Sequence, residues 1–92
     1  MSIYFEWDTA KATSNLIKHG ISFDEACSTF ADEKSFTIDD PIHSTEEVRL
    51  ILLGQSSQKR ILVIAHTHRG TKLRIISARL ASKKERTLYE KG

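Results

Sequence analysis

Residues 72–92 read K-L-R-I-I-S-A-R-L-A-S-K-K-E-R-T-L-Y-E-K-G. The first seven are an apolar, β-prone run and predict a strand. Ser82-Lys83-Lys84-Glu85 then has capping-box spacing, in which Ser82 and Glu85 each satisfy an orphan backbone N–H at a helix start. The stretch is a strand that turns into a C-terminal helix. It also gathers chemistry, with Arg74 and Arg79 on the strand side and Lys83, Lys84, Glu85, Arg86 and Tyr89 beyond it. A guanidinium is planar, always charged and bidentate, which suits a phosphate. A carboxylate and a phenol beside it are groups that general acid–base chemistry uses.

Outward from this unit, residues 48–54 and 60–68 predict two more strands. Ser56-Ser57-Gln58 and Arg69-Gly70 are turn-like, so the three strands form two consecutive hairpins. Both side-chain parities of the first two are apolar, which predicts central strands covered on both faces. Residues 36–40 alternate as a further strand, ended by Asp40-Pro41, and 42–46 is loop.

At the N-terminus, residues 3–7 predict a strand. Asp8 caps a helix that runs to about His19. Gly20 supplies its left-handed C-terminal residue, and Ile21 closes back on Leu16. Ser22 to Glu25 is another capping box. Phe23, Ala26, Cys27 and Phe30 follow at one-face helical spacing, which makes Cys27 a core residue rather than a nucleophile. The order is β-α-α-β-β-β-β-α: an α+β fold with a mainly antiparallel sheet, two N-terminal helices and a C-terminal helix, in a single domain over residues 1–92.

Composition sets outer limits. With 39% hydrophobic and 28% charged residues in 92, the chain is globular. Its uncharged apolar stretches, 50–54 and 61–65, are far too short to cross a membrane. No basic-then-apolar leader opens the chain, and the lone Cys27 forms no intrachain disulfide, so a cytoplasmic location is expected. The net charge of +2 conceals a split. Residues 1–46 carry three basic and nine acidic side chains, whereas 47–92 carry eleven basic and three acidic. Such asymmetry suits a polyanionic partner, nucleic acid first; the plain alternative is that the two halves pair with each other.

Each candidate residue has a functional and a structural reading. Arg79, at the end of the last strand with Ser77 and Ile75 as its face mates, either grips a phosphate or forms a salt bridge to Glu85. Glu85 either acts as, or orients, a catalytic group, or simply caps its helix. Lys18 and His19 close the first helix, where cations also favour the dipole. Arg49 sits on the parity of Ile51 and Leu53, for a phosphate contact or an ion pair. His66 and His68 share a strand face; they read as solvated strand-end histidines, with proton transfer open. H-x-H could begin a metal site, but no further Cys or His sits at useful spacing, so neither metal nor cofactor is expected. Tyr4, Phe5 and Trp7 read as core.

F-E-W-D-x-x-K-x-x-x-N-x-x-K-H-G-I-S-F-D-E-A at residues 5–26, Arg49 on a strand, and R-I-I-S-A-R-x-A-S-K-K-E-R-x-x-Y-E at 74–90 resemble the BrnT family of toxin components. The resemblance implies a RelE-like fold and a ribonuclease that cleaves RNA and arrests growth. It also implies a partner antitoxin with a ribbon-helix-helix DNA-binding domain, with the complex repressing its own operator. Metal-free RNA cleavage needs a base for the ribose 2′-hydroxyl, donors on the phosphorane-like transition state and an acid for the 5′-oxygen. For this, Arg79, Glu85, Arg49 and Lys18 are the catalytic candidates. Arg74, Lys83, Lys84, Tyr89 and His66 are the candidates for RNA contact. The substrate would be mRNA, with the ribosome as a further candidate partner. The rivals are a non-catalytic nucleic-acid- or protein-binding module and a metal-dependent hydrolase built on His66 and His68.

Overall fold

Two hairpins form the centre of the molecule. The structure, a computed structural model, describes residues 4–40, 42 and 48–91. The expectations for Ile3, Pro41, His43 and Glu46 lie outside the described residues. Strands β3 (Leu50–Gln55), β4 (Ile61–Arg69) and β5 (Lys72–Leu80) pair antiparallel in sequence order. β2 (Phe36–Asp39) adds antiparallel to β3, and β1 (Tyr4–Glu6) adds to the far side of β5, giving the order β1-β5-β4-β3-β2.

The sheet is mixed, which corrects the mainly antiparallel one expected, because β1 runs parallel to β5. Two helices separate β1 from β2, so no tight turn imposes an antiparallel sense on it. A strand pairing this far apart in sequence leaves no local signal.

The caps form where the sequence places them, except that the Ser22–Glu25 box closes only by half: Ser22 Oγ accepts from Glu25 N–H at 3.0 Å, while the Glu25 carboxylate turns to Ser56 and Arg60. Helix α1 (Thr9–His19) is capped by Asp8, whose carboxylate accepts from the Ala10 and Lys11 N–H groups at 2.8 and 3.2 Å. It ends on Gly20, at φ 71°, where a side chain would be strained. Helix α2 (Phe23–Ser28) follows and tightens into a 3₁₀ turn over Thr29–Ala31. Ile21, Phe23 and Ala26 pack with Leu52, Leu62, Ile64, Ile75 and Ala78 on one sheet face. Helix α3 (Lys83–Lys91) lies on the other face, where Tyr89 packs on Leu53 and Val63. The central strands are therefore covered on both faces, as their double parity predicts.

Phe5 and Trp7 pack against the helix-side core, but Tyr4, at the start of the edge strand β1, is 60% exposed among the described residues. Asn15 is a fixing point. β1 ends its pairing at Arg74, so the outer edge of β5 beyond that residue has no strand beside it among the described residues. The Asn15 amide fills the gap, accepting from Ala78 N–H (3.1 Å) and donating to Ala78 C=O (2.8 Å) and Ile21 C=O (2.9 Å). Gly54 marks a second close approach, since a Cβ there would stand 2.9 Å from the Ser35 Cβ.

Candidate active site

A β-bulge decides which side chains share the open face. β4 and β5 shift register at Ala65/His66, so Ser77 pairs with Ala65 and Ile75 with His66, skipping Ile76. The extra residue reverses the parity of β5. Ile75 and Ala78 consequently both enter the helix-side core, while Ser77 and Arg79 face the other way. The expectation that Ile75 shares the face of Arg79 is corrected for this reason; Ser77 does share it.

On that face lies a depression of about 540 Å³. Ile51, Val63, Ala65 and Ser77 lie along its strands, Ile38, Asp39, Asp40 and Ile42 come from the β2 side, and Arg49, Arg79 and Glu85 complete it. Three residues singled out from sequence, Arg49, Arg79 and Glu85, are thus brought together. Arg79 and Glu85 come from the consecutive β5 and α3, and Arg49 comes from the residue just before β3, far from them in the chain.

The Arg79–Glu85 pair is the core of this site. Arg79 Nη1 and Nη2 donate to Glu85 Oε1 and Oε2 at 2.8 and 2.9 Å, and Nη1 also donates to the Leu80 carbonyl at 3.2 Å. The carboxylate therefore occupies the end-on edge of the guanidinium. The side-on fork, Nε–H with the second Nη2 hydrogen, has no acceptor among the described residues. A planar guanidinium can hold two oxyanions on its two edges, so pairing with Glu85 orients Arg79 without using up its phosphate-binding edge.

Glu85 is simultaneously the cap: Oε1 accepts from Ser82 N–H at 2.8 Å, and Glu85 N–H donates to Ser82 Oγ at 3.2 Å. Its two readings from sequence are both realised in geometry. The hydrogen bonds from Arg79 outweigh burial and hold its carboxyl down at about 2. A carboxylate so stabilised is a poor proton acceptor near neutrality. Arg79 is correspondingly held in its charged form by Glu85.

The other candidates fall elsewhere. His66 is 2% exposed, against the expectation of a solvated histidine. It stacks edge-on against Phe30 with centroids 5.0 Å apart, and its Nδ1–H donates to the Ile64 carbonyl at 3.2 Å. Burial disfavours its charged form. His66 is a core residue, away from any surface that RNA could touch; His68, exposed, is the solvated member of the pair.

Tyr89 is likewise buried, and its hydroxyl donates to Asp32 Oδ2 at 2.5 Å. Burial first, then this bond, push the phenol up to about 12. It is a latch between α3 and the turn before β2, corrected here from an RNA contact, because an acidic residue 57 positions away claims its hydroxyl. Asp32 holds the latch with a second set of donors, the backbone N–H groups of Lys34 and Gln55.

Arg74 donates to Glu6 at 3.2 Å across the parallel β1–β5 pairing, which Lys72 also approaches at 3.9 Å. Lys18 is exposed in the last turn of α1, a helix that lines no part of the depression. Lys83 and Lys84 are exposed at the start of α3, one and two residues before Glu85. Cys27 is half-buried against the core, and its thiol is pushed up to about 11 by burial, as suits a packing residue. Among the described residues no group of three or more His, Cys, Asp or Glu side chains is arranged to hold a metal ion.

A family described as "Ribonuclease toxin, BrnT, of type II toxin-antitoxin system" matches residues 7–85, a span that includes every part of the site apart from the end of α3. The chain belongs to the BrnT family. The crystal structure of the Brucella abortus ribonuclease toxin BrnT, solved at 1.1 Å, is similar to it with a TM-score of 0.69. That likeness covers 89% of this chain and 100% of the other at 22% identity, so it speaks for the fold: three helices around a mixed five-stranded sheet. No curated protein sequence matches the chain. Membership in BrnT makes this a ribonuclease toxin of a type II system, whose partners are an antitoxin and RNA. No described helix is long and apolar enough to cross a membrane.

Sequence reasoning misses two residues of weight. Asn15 stands inside the quoted N-terminal motif, but its partner is a strand edge 63 positions away. Glu25 reads only as a helix cap, yet it is buried and bound by Arg60 and by Ser56 (2.6 Å), which fastens α2 to the β3–β4 turn. Arg60 is the leading cause that holds the Glu25 carboxyl below its ordinary value.

Proposed function

We propose that this BrnT chain is a metal-independent endoribonuclease that cleaves mRNA through the 2′-hydroxyl and so blocks translation. The observation that carries the proposal is the side-on fork of Arg79, turned out of an otherwise complete ion pair beside the open depression. In this reading the scissile phosphate lies against that fork, with Arg49 on the opposite wall. The 2′-hydroxyl gives up its proton to solvent, its oxygen attacks phosphorus and the P–O5′ bond breaks, with the 5′-oxygen taking a proton from water. On the way, charge builds on the non-bridging oxygens. Donors already fixed in place stabilise that charge without reorganising, an effect worth roughly 10²–10³ in rate for one such donor.

Glu85 orients Arg79 and takes no proton, since its carboxyl is held at about 2. Lys83 and Lys84 add positive charge beside the entrance, and Ser77 offers a hydroxyl on its floor. The chemistry needs no Lewis acid, because arginine supplies the charge that a metal would. The same reading carries the RelE-like fold class, action in the cytoplasm and on ribosome-associated message, and a BrnA-like ribbon-helix-helix antitoxin. Operator DNA is contacted only through that antitoxin. A wholly non-catalytic basic module is the weaker alternative, because simple binding gives no reason for a guanidinium fixed by a second-edge carboxylate.

The test is incubation of the purified protein with labelled single-stranded RNA, with and without EDTA. Cleavage to 2′,3′-cyclic phosphate ends at equal rates in both arms is expected. Cleavage lost with EDTA and restored by a divalent cation would overturn the metal-free mechanism, and binding without cleavage would favour the passive module.

A further inference from the structure

Lys59, Arg60, Ile61, Leu80, Ala81 and Arg86 surround a second depression, of about 450 Å³. It lies across the β5–α3 junction from the first. Arg79 and Glu85 line one, and their chain neighbours Leu80 and Arg86 line the other. The cations of the second differ in their commitments. Arg60 is bound through Nε and Nη2 to Glu25. The side chains of Lys59 and Arg86 make no ion pair or hydrogen bond with any described residue.

Lys59 is also held rigidly. It sits at φ 66°, in the left-handed region that glycine occupies more cheaply, and its N–H donates to Ser56 C=O at 2.9 Å. Ser56 is itself buried and tied to Glu25. The backbone of a lysine is therefore fixed on a strained turn, and its side chain lines one notch with Arg86 and half-exposed Leu80, which adds an apolar surface.

We propose that this notch is a second phosphate site, which takes the backbone of a flanking segment of the RNA whose scissile phosphate lies on Arg79. The inference rests on the function proposed above. A polyanion with one charge per unit can follow the β5–α3 junction from the first depression, past exposed Lys83 and Lys84, into the second. An acidic peptide would need its charges at matching positions on both sides of the junction. Leu80 gives a base of that flanking segment an apolar surface to lie on.

Binding of a fluorescent, 2′-O-methylated single-stranded oligonucleotide, which cannot be cleaved through its 2′-oxygens, tests this across a salt series. Lys59→Gln with Arg86→Gln removes two phosphate contacts from exposed positions, so the slope of log K against log salt should become shallower by about 1.4. The charge-matched control Lys11→Gln with Lys34→Gln alters exposed residues that line neither depression, and should keep the wild-type slope. An unchanged slope in the notch variant, or an equal fall in the control, would overturn the site. An unchanged RNA slope with weakened antitoxin binding would assign the notch to the antitoxin and equally overturn it. Absence of cleavage of unmodified RNA by the wild type would refute the proposed function, while the slope comparison still reads the notch. Absence of any RNA binding would refute both.

Discussion

Glu85 serves two masters: both of its oxygens accept from Arg79, and Oε1 also accepts from the Ser82 N–H. Glu85→Gln keeps the shape and can still accept from Ser82 N–H, since capping boxes use Gln as well as Glu. At neutral pH it should be less stable than wild type by roughly 1–3 kcal/mol, because the bidentate charged pair with Arg79 is lost. It removes the charge that fixes Arg79, so the cleavage rate should fall by roughly 10-fold or more even though no proton acceptor has been lost. The pH dependence separates orientation from capping. Folding lowers the Glu85 carboxyl from 4.5 to about 2, so the folded state favours the ionised form. That share of stability is present above about 4.5 and is lost as pH falls through about 2. Thermal melts over this acid range should show the gap between wild type and Glu85→Gln closing as the pH drops. Glu25 and Asp32, also lowered, remain in both proteins and cancel in the comparison.

At the scale of elements, two polar side chains decide whether the layers stay docked. Tyr89 ties α3 to Asp32. Tyr89→Phe keeps the ring on Leu53 and Val63 and removes only the hydroxyl, leaving Asp32 its two backbone donors. A loss of about 1–3 kcal/mol in denaturant melts is expected, with RNA cleavage near wild type. A large loss of cleavage in a well-folded Tyr89→Phe protein would return the phenol to the chemistry. Asn15→Ala is the harsher change. It strands the N–H and C=O of Ala78 and the C=O of Ile21 in the core, and should cost roughly 3 kcal/mol or more. Hydrogen exchange should show the Ala78 amide losing protection first.

These elements also show what the sequence makes legible. Asp8, Gly20, the Ser82–Glu85 box, the Ser22 half of the Ser22–Glu25 box and the double parity of β3 and β4 are local signals, and each maps onto the structure. The parallel β1–β5 pairing, the Asn15 clamp and the burial of Tyr89 and His66 depend on partners tens of residues away. The bulge at Ile76 is subtler, because one inserted residue in a β-branched run leaves the pattern apolar while reversing which side chains face the depression. Arg49, Arg79 and Glu85 can be found in the sequence as chemistry-bearing residues. The Arg79–Glu85 pair is legible too, six residues apart across a strand–helix junction, whereas the arrival of Arg49 beside it is found only in the fold.

Across the whole molecule, the charge asymmetry takes a specific form. Several basic side chains of the second half are consumed internally, Arg60 by Glu25 and Arg74 and Lys72 by Glu6. Those around the β5–α3 junction stay at the surface: Lys83, Lys84 and Arg86 are exposed, and Arg79 presents one edge. The acidic half thus neutralises selected cations and leaves a basic crest beside the depression. The central claim is that this crest cleaves RNA through Arg79. The most direct measurement is the rate of cleavage of labelled single-stranded RNA, with EDTA present throughout, by wild type, Arg79→Lys and Arg79→Ala, each checked for native melting. Wild type should cleave, Arg79→Lys should lose most of its rate because an ammonium has no side-on fork, and Arg79→Ala should fall by roughly 10²-fold or more. Cleavage at the wild-type rate by a folded Arg79→Ala protein would contradict the account.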